Sequence, residues 1–359
     1  MRIKLIILLL SSLVLTSCSS DNNNNEEAPI FKEFIKGADL SFLPQIEESN
    51  IVFTDNEISS DALSILKNNG LNTVRIRLWH SPVNNHSAFK EVKTLSKRAK
   101  TIGLKVWLCV HYSDTWADPA HQEIPKAWKS LSFPILKDSV YTYTTKILSE
   151  IAPDYIQLGN EINPGFLLPS GDRFANQDQF KELLNSGIQA VRNNDNNCKI
   201  ILHYAGHSTA FSFFNSINEL DFDIMALSYY PLWHGKNLNE LKTNLIQLSN
   251  QFNKPVVIAE TAYPFTLNWN DWTNNIVGLE EQLILPDYPA TPNGQLDFLL
   301  KVREICEETN ALGFCYWGAE YVAFDGVESK NGSSWENQAL FNFKNELLPA
   351  AEAFQLNIK

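Results

Sequence analysis

The sequence predicts a closed (β/α)8 barrel, because short apolar runs alternate with helical patterns eight times along the chain. The 359 residues are enough for one domain of barrel size. No glycine-rich phosphate loop follows the first apolar run, which weakens the competing open, doubly wound sheet. The expected strands lie near residues 34–40, 73–79, 105–111, 154–160, 199–204, 223–229, 255–260 and 312–317.

The segments between these runs carry helix signals. SSDALSILKNNG begins with serine and aspartate and ends at Gly70, and AFKEVKTLSKRAKTIG ends at Gly103. Serine and aspartate favour the first position of a helix, and glycine favours the position after its last turn. Both segments are therefore predicted helices that lead from one barrel strand to the next.

Side chains alternate along a strand, so their parity predicts which of them face the barrel axis. In the second strand, Val74, Ile76 and Leu78 suit the outer side, and in the seventh strand parity places Val257 and Ala259 there too. Polar groups then collect inside the barrel and near the carboxyl ends of the strands, where barrel enzymes keep their chemistry. The expected inward residues are Arg75, Arg77, Trp79, Trp107, Cys109, His111, Gln157, Gly159, Glu161, Ile258, Glu260, Cys315 and Trp317.

Two acids end expected strands, Glu161 in LGNEINPGF and Glu260 in IAET. Two carboxylates across a cleft are the machinery of glycoside hydrolysis, in which one group is protonated and the other attacks as an anion. A nearby cation, Arg75 or Arg77, would favour the ionised form of one carboxylate. The structural alternative is a buried pair of acids that only form salt bridges with these arginines.

Seven blocks of the chain occur in the order typical of glycoside hydrolase family 53, the endo-β-1,4-galactanases, and resemble its motifs. They are KGADLSFLPQIE, NTVRIRLWHSP, HYSDTWADPAHQEIPKAW, LGNEINPG, LSYYPLWHG, IAETAYPFT and PATPNGQ. The resemblance implies a (β/α)8 barrel that hydrolyses galactan with retention and needs no cofactor for its chemistry. It also implies that Glu161 is the acid/base and that Glu260 is the nucleophile.

The same resemblance implies supporting residues around the two acids. Asn160 would bond the 2-hydroxyl of the reacting sugar, and a tyrosine after the sixth strand would hold the nucleophile. Parity with the preceding strand favours Tyr230 over Tyr229 for that tyrosine. An arginine of the second strand would keep Glu260 ionised, and Arg77 is preferred to Arg75 because it lies nearer the strand end.

Aromatic and polar residues are expected to complete the substrate cleft. Trp317 would form the hydrophobic platform under the reacting sugar. His111, Asp114, Trp116 and Asp118 follow the third strand and are expected to line the cleft, although such residues also serve as ordinary loop structure.

One segment departs from the family pattern, and another contains possible metal ligands. YWGAEYVAFDGV lacks the Trp-Glu-Pro expected after the eighth strand, which affects the shape of the neighbouring subsite. The loop at 266–292 lies where some family members hold calcium, and ordinary turn chemistry is the alternative explanation of its polar residues. Its candidate oxygen ligands are Asn268, Asn270, Asp271, Asn274 and Asn275.

The first residues resemble a bacterial lipoprotein leader. Residues 1–17 combine a basic start with a short apolar stretch, and Leu15-Thr16-Ser17-Cys18 resembles a lipobox. We therefore expect a signal peptide at 1–17, a lipidated Cys18, a disordered polar tether at 18–32 and a catalytic domain at 33–359. The acidic run after Cys18 also resembles the surface-export signal of Bacteroidetes lipoproteins, so the expected location is the outer surface, with a lipid anchor as the only membrane contact.

The charge and the cysteine content indicate which kinds of binding partner and which cysteine state to expect. The formal charge of −12 disfavours nucleic acid, and we expect a monomer with a polysaccharide substrate. Cys109, Cys198, Cys306 and Cys315 are expected to be free and structural.

Two functions are alternatives to a galactanase. One is another retaining β-glycosidase of the same clan, acting on mannan, xylan or cellulose, and the other is a non-catalytic surface glycan-binding protein.

Overall fold

The computed structural model describes residues 33–195 and 197–355, and eight parallel strands within these ranges close a barrel. Each strand pairs with its neighbours in chain order, and the first also pairs with the last. The predicted (β/α)8 barrel is therefore confirmed. The strands are β1 (Ile35–Asp39), β2 (Thr73–Leu78), β3 (Lys105–Val110), β4 (Tyr155–Leu158), β5 (Lys199–Ala205), β6 (Ile224–Ser228), β7 (Val256–Thr261) and β8 (Gly313–Tyr316).

Helices connect the strands on the outside of the barrel. The second begins after Asp61, whose carboxylate accepts the backbone N–H groups of Leu63 and Ser64 and so caps the helix. A hairpin of Phe53–Asp55 and Ile58–Ser60 lies outside the barrel sheet. The α-helices are α1 (Leu43–Glu48), α2 (Ala62–Asn68), α3 (Phe89–Thr101), α4 (Phe133–Glu150), α5 (Gln177–Asn194), α6 (Ala210–Ser216), α7 (Pro231–His234), α8 (Leu238–Phe252) and α9 (Pro292–Glu308). Short 3-10 helices occur at Lys126–Trp128, Glu280–Gln282, Glu336–Gln338 and Pro349–Phe354.

Two apolar clusters fill the molecule. The larger lies between strands and helices and takes one parity of each strand, including Val74, Ile76 and Leu78, as expected for β2. The smaller takes the other parity and fills the barrel interior. Its members are Ile35, Trp107, Tyr155, Ile201, Ile224, Ala226, Val257, Ala259, Leu312 and Cys315.

Strand β7 departs from the expected parity. Val257 and Ala259 belong to the interior cluster and Ile258 to the outer one. The predictions that the first two face outward and that Ile258 faces inward are therefore wrong. The register explains how Glu260 still reaches the interior. Leu227 pairs with Ile258 but the next residue, Ser228, pairs with Glu260, so Ala259 is an extra residue. Such a bulge turns two successive side chains toward the same side, which simple alternation cannot predict.

Several expectations concern other parts of the chain. The four cysteines at 109, 198, 306 and 315 are buried and free, as predicted. Among the residues at 33–195 and 197–355, no helix has the length and apolarity needed to cross a membrane. The expected signal peptide, Cys18 and the tether at 18–32 lie outside the described residues.

Candidate active site

A cleft of about 420 Å³ opens at the carboxyl ends of the barrel strands. Polar groups from inside the barrel form its floor, and aromatic rings from the loops form its walls. Nine of the ten expected catalytic and substrate-binding residues line it, and Asp114 is the exception. The lining residues are Asp39, Arg75, Arg77, His111, Trp116, Ala117, Asp118, Pro119, Asn160, Glu161, Ala205, Tyr230, Trp233, His234, Glu260, Trp317 and Trp335.

Glu161 reaches the cleft through an unusual turn at the end of β4. Gly159 has φ +80°, and a Cβ there would lie 2.5 Å from Ile162. Glu161 itself has φ +46°, a left-handed conformation that costs free energy in a residue other than glycine and that recurs at functional sites. Gln122 fixes the turn by donating to the carbonyl oxygens of Asn160 and Glu161.

The Glu161 carboxyl group has one specific partner among the described residues. The Ser228 hydroxyl, at the end of β6, donates to Glu161 Oε1 at 2.5 Å. His203 Nδ1 accepts the Glu161 backbone N–H at 3.4 Å, which assigns the ring proton to Nε2. Nε2 therefore donates to the same Ser228 oxygen at 2.9 Å. Oε2 of Glu161 is therefore left to face a ligand in the cleft.

Glu260 is held from both sides. Arg75 Nη2 donates to Oε1 at 2.8 Å, and the Tyr230 hydroxyl donates to Oε2 at 3.0 Å. Arg75 is itself fixed by Asp39, at 2.7 Å, so the guanidinium bridges two carboxylates. Tyr230 thus makes the contact that parity favoured, whereas the Tyr229 hydroxyl donates to the Gly235 carbonyl.

The expectation that Arg77 supports Glu260 is wrong, because Arg75 makes that contact. In the register between β1 and β2, Asp39 pairs with Arg75. The carboxylate of Asp39 can therefore orient the Arg75 side chain across the barrel toward β7. Arg77 lies farther out along β2, where its Nε donates to Ser87.

The two acids lie close together. One carboxylate oxygen from each of Glu161 and Glu260 and a ring nitrogen of His203 all lie within 4.8 Å of one another. Retaining glycosidases place their two carboxyl groups about 5–5.5 Å apart, and inverting enzymes about 6.5–9.5 Å apart. The close approach of these two oxygens is nearer to the spacing of a retaining enzyme, and it suits direct attack by one carboxylate.

The surroundings separate the protonation states of the pair. Burial, and then the negative charge of Glu260, raise the pKa of Glu161 to about 8. Burial also raises the pKa of Glu260, but the Arg75 guanidinium and the Tyr230 hydroxyl act in the opposite direction. At neutral pH the pair holds one proton, and we place it on Glu161 because Glu260 carries the cationic partner.

This pKa order gives a pH prediction. Below about pH 8 Glu161 is protonated and can donate, and as the pH rises through that value the acid form is lost. We expect kcat/KM on a glycoside with a poor leaving group to fall on the alkaline side with this apparent pKa. An aryl glycoside with a good leaving group serves as the control, since its first step needs little acid assistance. An equal alkaline fall for both substrates would contradict the assignment of the proton to Glu161.

Asn160 and His111 present hydrogen-bonding groups to the cleft. Asn160 Oδ1 accepts from Arg75 at 2.8 Å, and its Nδ2 donates to the Ala117 carbonyl at 2.9 Å. His111 Nδ1 accepts the Ala117 N–H at 2.9 Å, which assigns the ring proton to Nε2. Burial and the nearby arginines hold the pKa of His111 well below its usual range, so the imidazole is neutral.

Asp114 is not among the residues that line this cleft, so the structure gives its expected role in substrate binding no support. Its two oxygens accept the backbone N–H groups of Ser81, at 3.0 Å, and Lys126, at 2.8 Å, so it pins two loops together. Asp118 does line the cleft, although its Oδ1 also accepts the backbone N–H of Ala120 at 2.7 Å.

Tryptophans form much of the cleft wall. Trp116 and Trp317 were expected there, and their ring centroids lie 6.2 Å apart. Trp335 and Trp233 were not singled out from the sequence, yet Trp335 packs 4.6 Å from Trp317 and stacks near Trp233. The high aromatic content of the chain is consistent with rings in the cleft. No periodic pattern marks Trp335, because it lies in a loop far beyond β8.

The proposed calcium ligands separate into two groups. Asp271 and Asn275 are buried, and one oxygen of each has no hydrogen-bond partner among the described residues. Glu336 was not considered from the sequence, yet it is buried beside them with one unpartnered oxygen. Its other oxygen accepts the Asn270 backbone N–H at 2.7 Å. Asn274 is exposed, and Asn268 and Asn270 have no buried unpartnered side-chain oxygen.

Comparisons with known proteins agree with this architecture. An arabinogalactan endo-beta-1,4-galactanase of Cellvibrio japonicus is 36% identical over 88% of this chain and 89% of its own length. An endo-beta-1,4-galactanase of Bacillus subtilis is 33% identical over 90% of this chain and 86% of its own length. The solved GH53 catalytic domain of Ignisphaera aggregans superposes with a TM-score of 0.86 at 36% identity, covering 92% of this chain and 98% of that domain.

The model of one enzyme family spans nearly all of the described residues. It is the model of glycosyl hydrolase family 53, and it matches residues 35–354. This range contains all eight barrel strands and every residue that lines the cleft. The chain therefore belongs to glycosyl hydrolase family 53.

Proposed function

We propose that this protein is an endo-acting, retaining β-1,4-galactanase that cleaves galactan and the type I arabinogalactan side chains of pectin. The observation that carries the chemistry is the close pair of Glu161 and Glu260 at the barrel mouth, with a cation on Glu260 alone. The galactanase relatives named above support the substrate. The reaction uses these side chains and water, and needs no cofactor.

The first step forms a covalent intermediate. Glu260, ionised beside Arg75, attacks the anomeric carbon of the galactosyl unit, and the bond from that carbon to the leaving oxygen breaks. Glu161 gives its proton to the leaving oxygen, so the departing chain leaves as an alcohol. Tyr230 and Arg75 keep the attacking carboxylate aimed, and burial excludes competing water.

The second step releases the sugar. Glu161, now ionised, takes a proton from a water molecule whose oxygen attacks the anomeric carbon, and the bond to Glu260 breaks. Glu161 is thereby protonated again for the next cycle. Two inversions at one carbon give a product with the configuration of the substrate.

Other cleft residues support binding of the sugar. We assign Asn160 to the 2-hydroxyl of the reacting unit and Trp317 to its apolar face. The Nε2–H of the neutral His111 is a fixed donor toward the cleft. Asp118, Trp116, Trp233 and Trp335 extend the wall on either side of this unit.

A substrate panel tests the proposal. We expect the protein to release short oligosaccharides from linear β-1,4-galactan and to leave mannan, xylan and cellulose intact. Internal cleavage should lower the viscosity of galactan early, before much reducing sugar appears. Hydrolysis of one of the other three polymers in place of galactan would assign the protein a different substrate. Binding of galactan without hydrolysis would indicate a glycan-binding protein.

We also propose a structural calcium ion beside the loop at 266–292. The unpartnered oxygens of Asp271, Asn275 and Glu336 are hard donors of the kind that calcium prefers. The backbone bond from Asn270 to Glu336 and the 3.5 Å contact from Asn275 Nδ2 to Glu336 keep these residues together. When bound, the ion would neutralise two buried carboxylates and fix this loop against the turn that carries Trp335.

Removal of calcium should therefore lower thermal stability. A chelator should reduce the melting temperature by about 5 °C, since a ligand in large excess over its Kd contributes a few kcal/mol, and added calcium should restore it. Asp271→Asn should abolish the response. Asn274→Ala, at an exposed position of the same loop, is the matched control and should keep it. A melting temperature unaffected by the chelator would contradict the site.

We further propose that the protein is anchored by lipid at Cys18 on the outer face of the bacterial cell. The motif around Cys18 and the polar segment after it support this location. Cys18→Ala should move the protein from the membrane fraction to the soluble fraction without changing galactanase activity. Retention of the variant in the membrane fraction would exclude lipidation of Cys18 as the anchor.

A further inference from the structure

Arg77 is a buried cation in the cleft wall without an acidic partner among the residues that the structure describes. The residue is 3% exposed, and its Nε donates to the Ser87 hydroxyl at 3.0 Å. Its two terminal nitrogens have no hydrogen-bond acceptor within 33–195 and 197–355. Arg75, two residues earlier, has in contrast two carboxylates and two amides as acceptors.

The nearest acids are unavailable to Arg77. Asp39 already accepts the Ser41 hydroxyl on one oxygen and Arg75 on the other. Glu320 accepts the Phe42 backbone N–H at 2.7 Å, and burial raises its pKa to about 8, so it is neutral at pH 7. The charge of Arg77 is thus not matched by a carboxylate of the protein.

Aromatic rings take the place of an anion around Arg77. The guanidinium carbon lies 4.1 Å from the Trp116 ring centroid, 4.5 Å from that of Phe42 and 4.7 Å from that of Trp79. Rings at this distance stabilise a cation through their quadrupoles and leave its N–H groups free. A guanidinium held this way is a preorganised donor, because its plane is fixed before any ligand arrives.

The position of Arg77 relates it to the reacting sugar. It lies two residues beyond Arg75 on β2, so it sits roughly 7 Å farther toward the barrel mouth than the residue that holds the nucleophile. Trp116 and Phe42 also lie 6.2 and 6.0 Å from Trp317, the proposed platform. None of the Arg77 contacts comes from β4, β5 or β6, which supply Glu161 and its partners. Arg77 and Trp317 both line the cleft, so Arg77 lies beside the sugar next to the one on the platform.

We propose that Arg77 is a substrate-binding residue whose terminal N–H groups donate to hydroxyls of the galactosyl unit adjacent to the reacting one. This inference rests on the proposed function. Two arginines of β2 then have different roles, because Arg75 orients the nucleophile and Arg77 binds the neighbouring sugar.

The test compares Arg77→Lys with Arg75→Lys. Lysine keeps the positive charge at either position but loses the planar fork of the guanidinium. Both variants should therefore fold, and thermal melting checks this. For Arg77→Lys we expect KM on galactan to rise about 10- to 100-fold with kcat nearly unchanged, the scale of lost hydrogen bonds to a charged group. Arg75→Lys should instead lower kcat. Arg98→Lys is the matched control, because Arg98 pairs with Glu47 away from the cleft.

Two further measurements separate binding from general damage. In a Glu161→Gln background, Arg77→Lys should weaken calorimetric binding of β-1,4-galactotetraose by the same factor as KM. A dinitrophenyl β-galactoside has a single sugar that does not reach Arg77. On this substrate the kcat/KM of Arg77→Lys should match that of the parent enzyme. Equal losses on both substrates, or unchanged galactotetraose affinity, would overturn the proposal. An effect confined to carboxylate-bearing oligosaccharides would also overturn the assignment to hydroxyl groups. A parent enzyme inactive on galactan would instead refute the proposed function.

Discussion

Glu260→Ala is expected to reduce hydrolysis of galactan by about 10⁶-fold, the scale of removing the nucleophile from a covalent mechanism. The same loss is expected on an aryl galactoside, because a good leaving group does not replace the attacking carboxylate. Initial rates on both substrates measure the effect. Since Arg75 keeps Asp39 as a partner at 2.7 Å, the variant should fold, and its melting temperature provides the check.

Azide offers a sharper control for Glu260→Ala. The small anion can enter the space left by the carboxylate and attack the anomeric carbon from the side that Glu260 uses. With an activated aryl β-galactoside, the product should then be the α-galactosyl azide. Glu304→Ala, at an exposed acid that pairs with Lys301 on α9, should behave as the parent enzyme. Activity of Glu260→Ala within tenfold of the parent would exclude Glu260 as the nucleophile.

Glu161→Ala is expected to show the opposite selectivity. It should lose about 10²- to 10⁴-fold on galactan, because proton transfer to a poor leaving group is worth that much. On an aryl galactoside with a good leaving group, the first step should proceed at nearly the parent rate. The second step lacks its base, so the glycosyl-enzyme should accumulate and appear as a burst followed by slow turnover.

Azide distinguishes Glu161→Ala from Glu260→Ala. In Glu161→Ala, azide should attack the intermediate on the face that water normally uses, and it should raise the slow rate and yield the β-galactosyl azide. The anomeric configuration of the azide product, read by NMR, therefore assigns each acid to its step. If Glu161→Ala gave the α product and Glu260→Ala the β product, the two roles would be exchanged.

The barrel could be predicted from the sequence because its signal is repeated eight times, so an error at one strand does not change the fold. Parity succeeded for β2, where Val74 and Ile76 pack outward, and for the preference of Tyr230 over Tyr229. It failed at β7, because the extra residue Ala259 shifts the alternation. A bulge depends on pairing between strands, and no pattern within one strand reveals it.

Individual side-chain contacts were harder to predict than the fold. Arg77 is nearer the strand end than Arg75, but the contact with Glu260 depends on the register that places Asp39 beside Arg75. Asp114 lies between cleft residues in the sequence, yet backbone N–H groups of two loops satisfy its carboxylate. Trp335 joins the cleft only because a long loop folds back over the barrel mouth.

The anomeric configuration of the first product tests the central claim most directly. Linear β-1,4-galactan is incubated with enzyme in an NMR tube, and the anomeric signals of the new reducing ends are followed before mutarotation. The close Glu161 and Glu260 pair predicts that the β-anomer appears first and that the α-anomer grows in later. If the α-anomer appeared first, a water molecule would be the attacking group, and the double displacement through Glu260 would be contradicted.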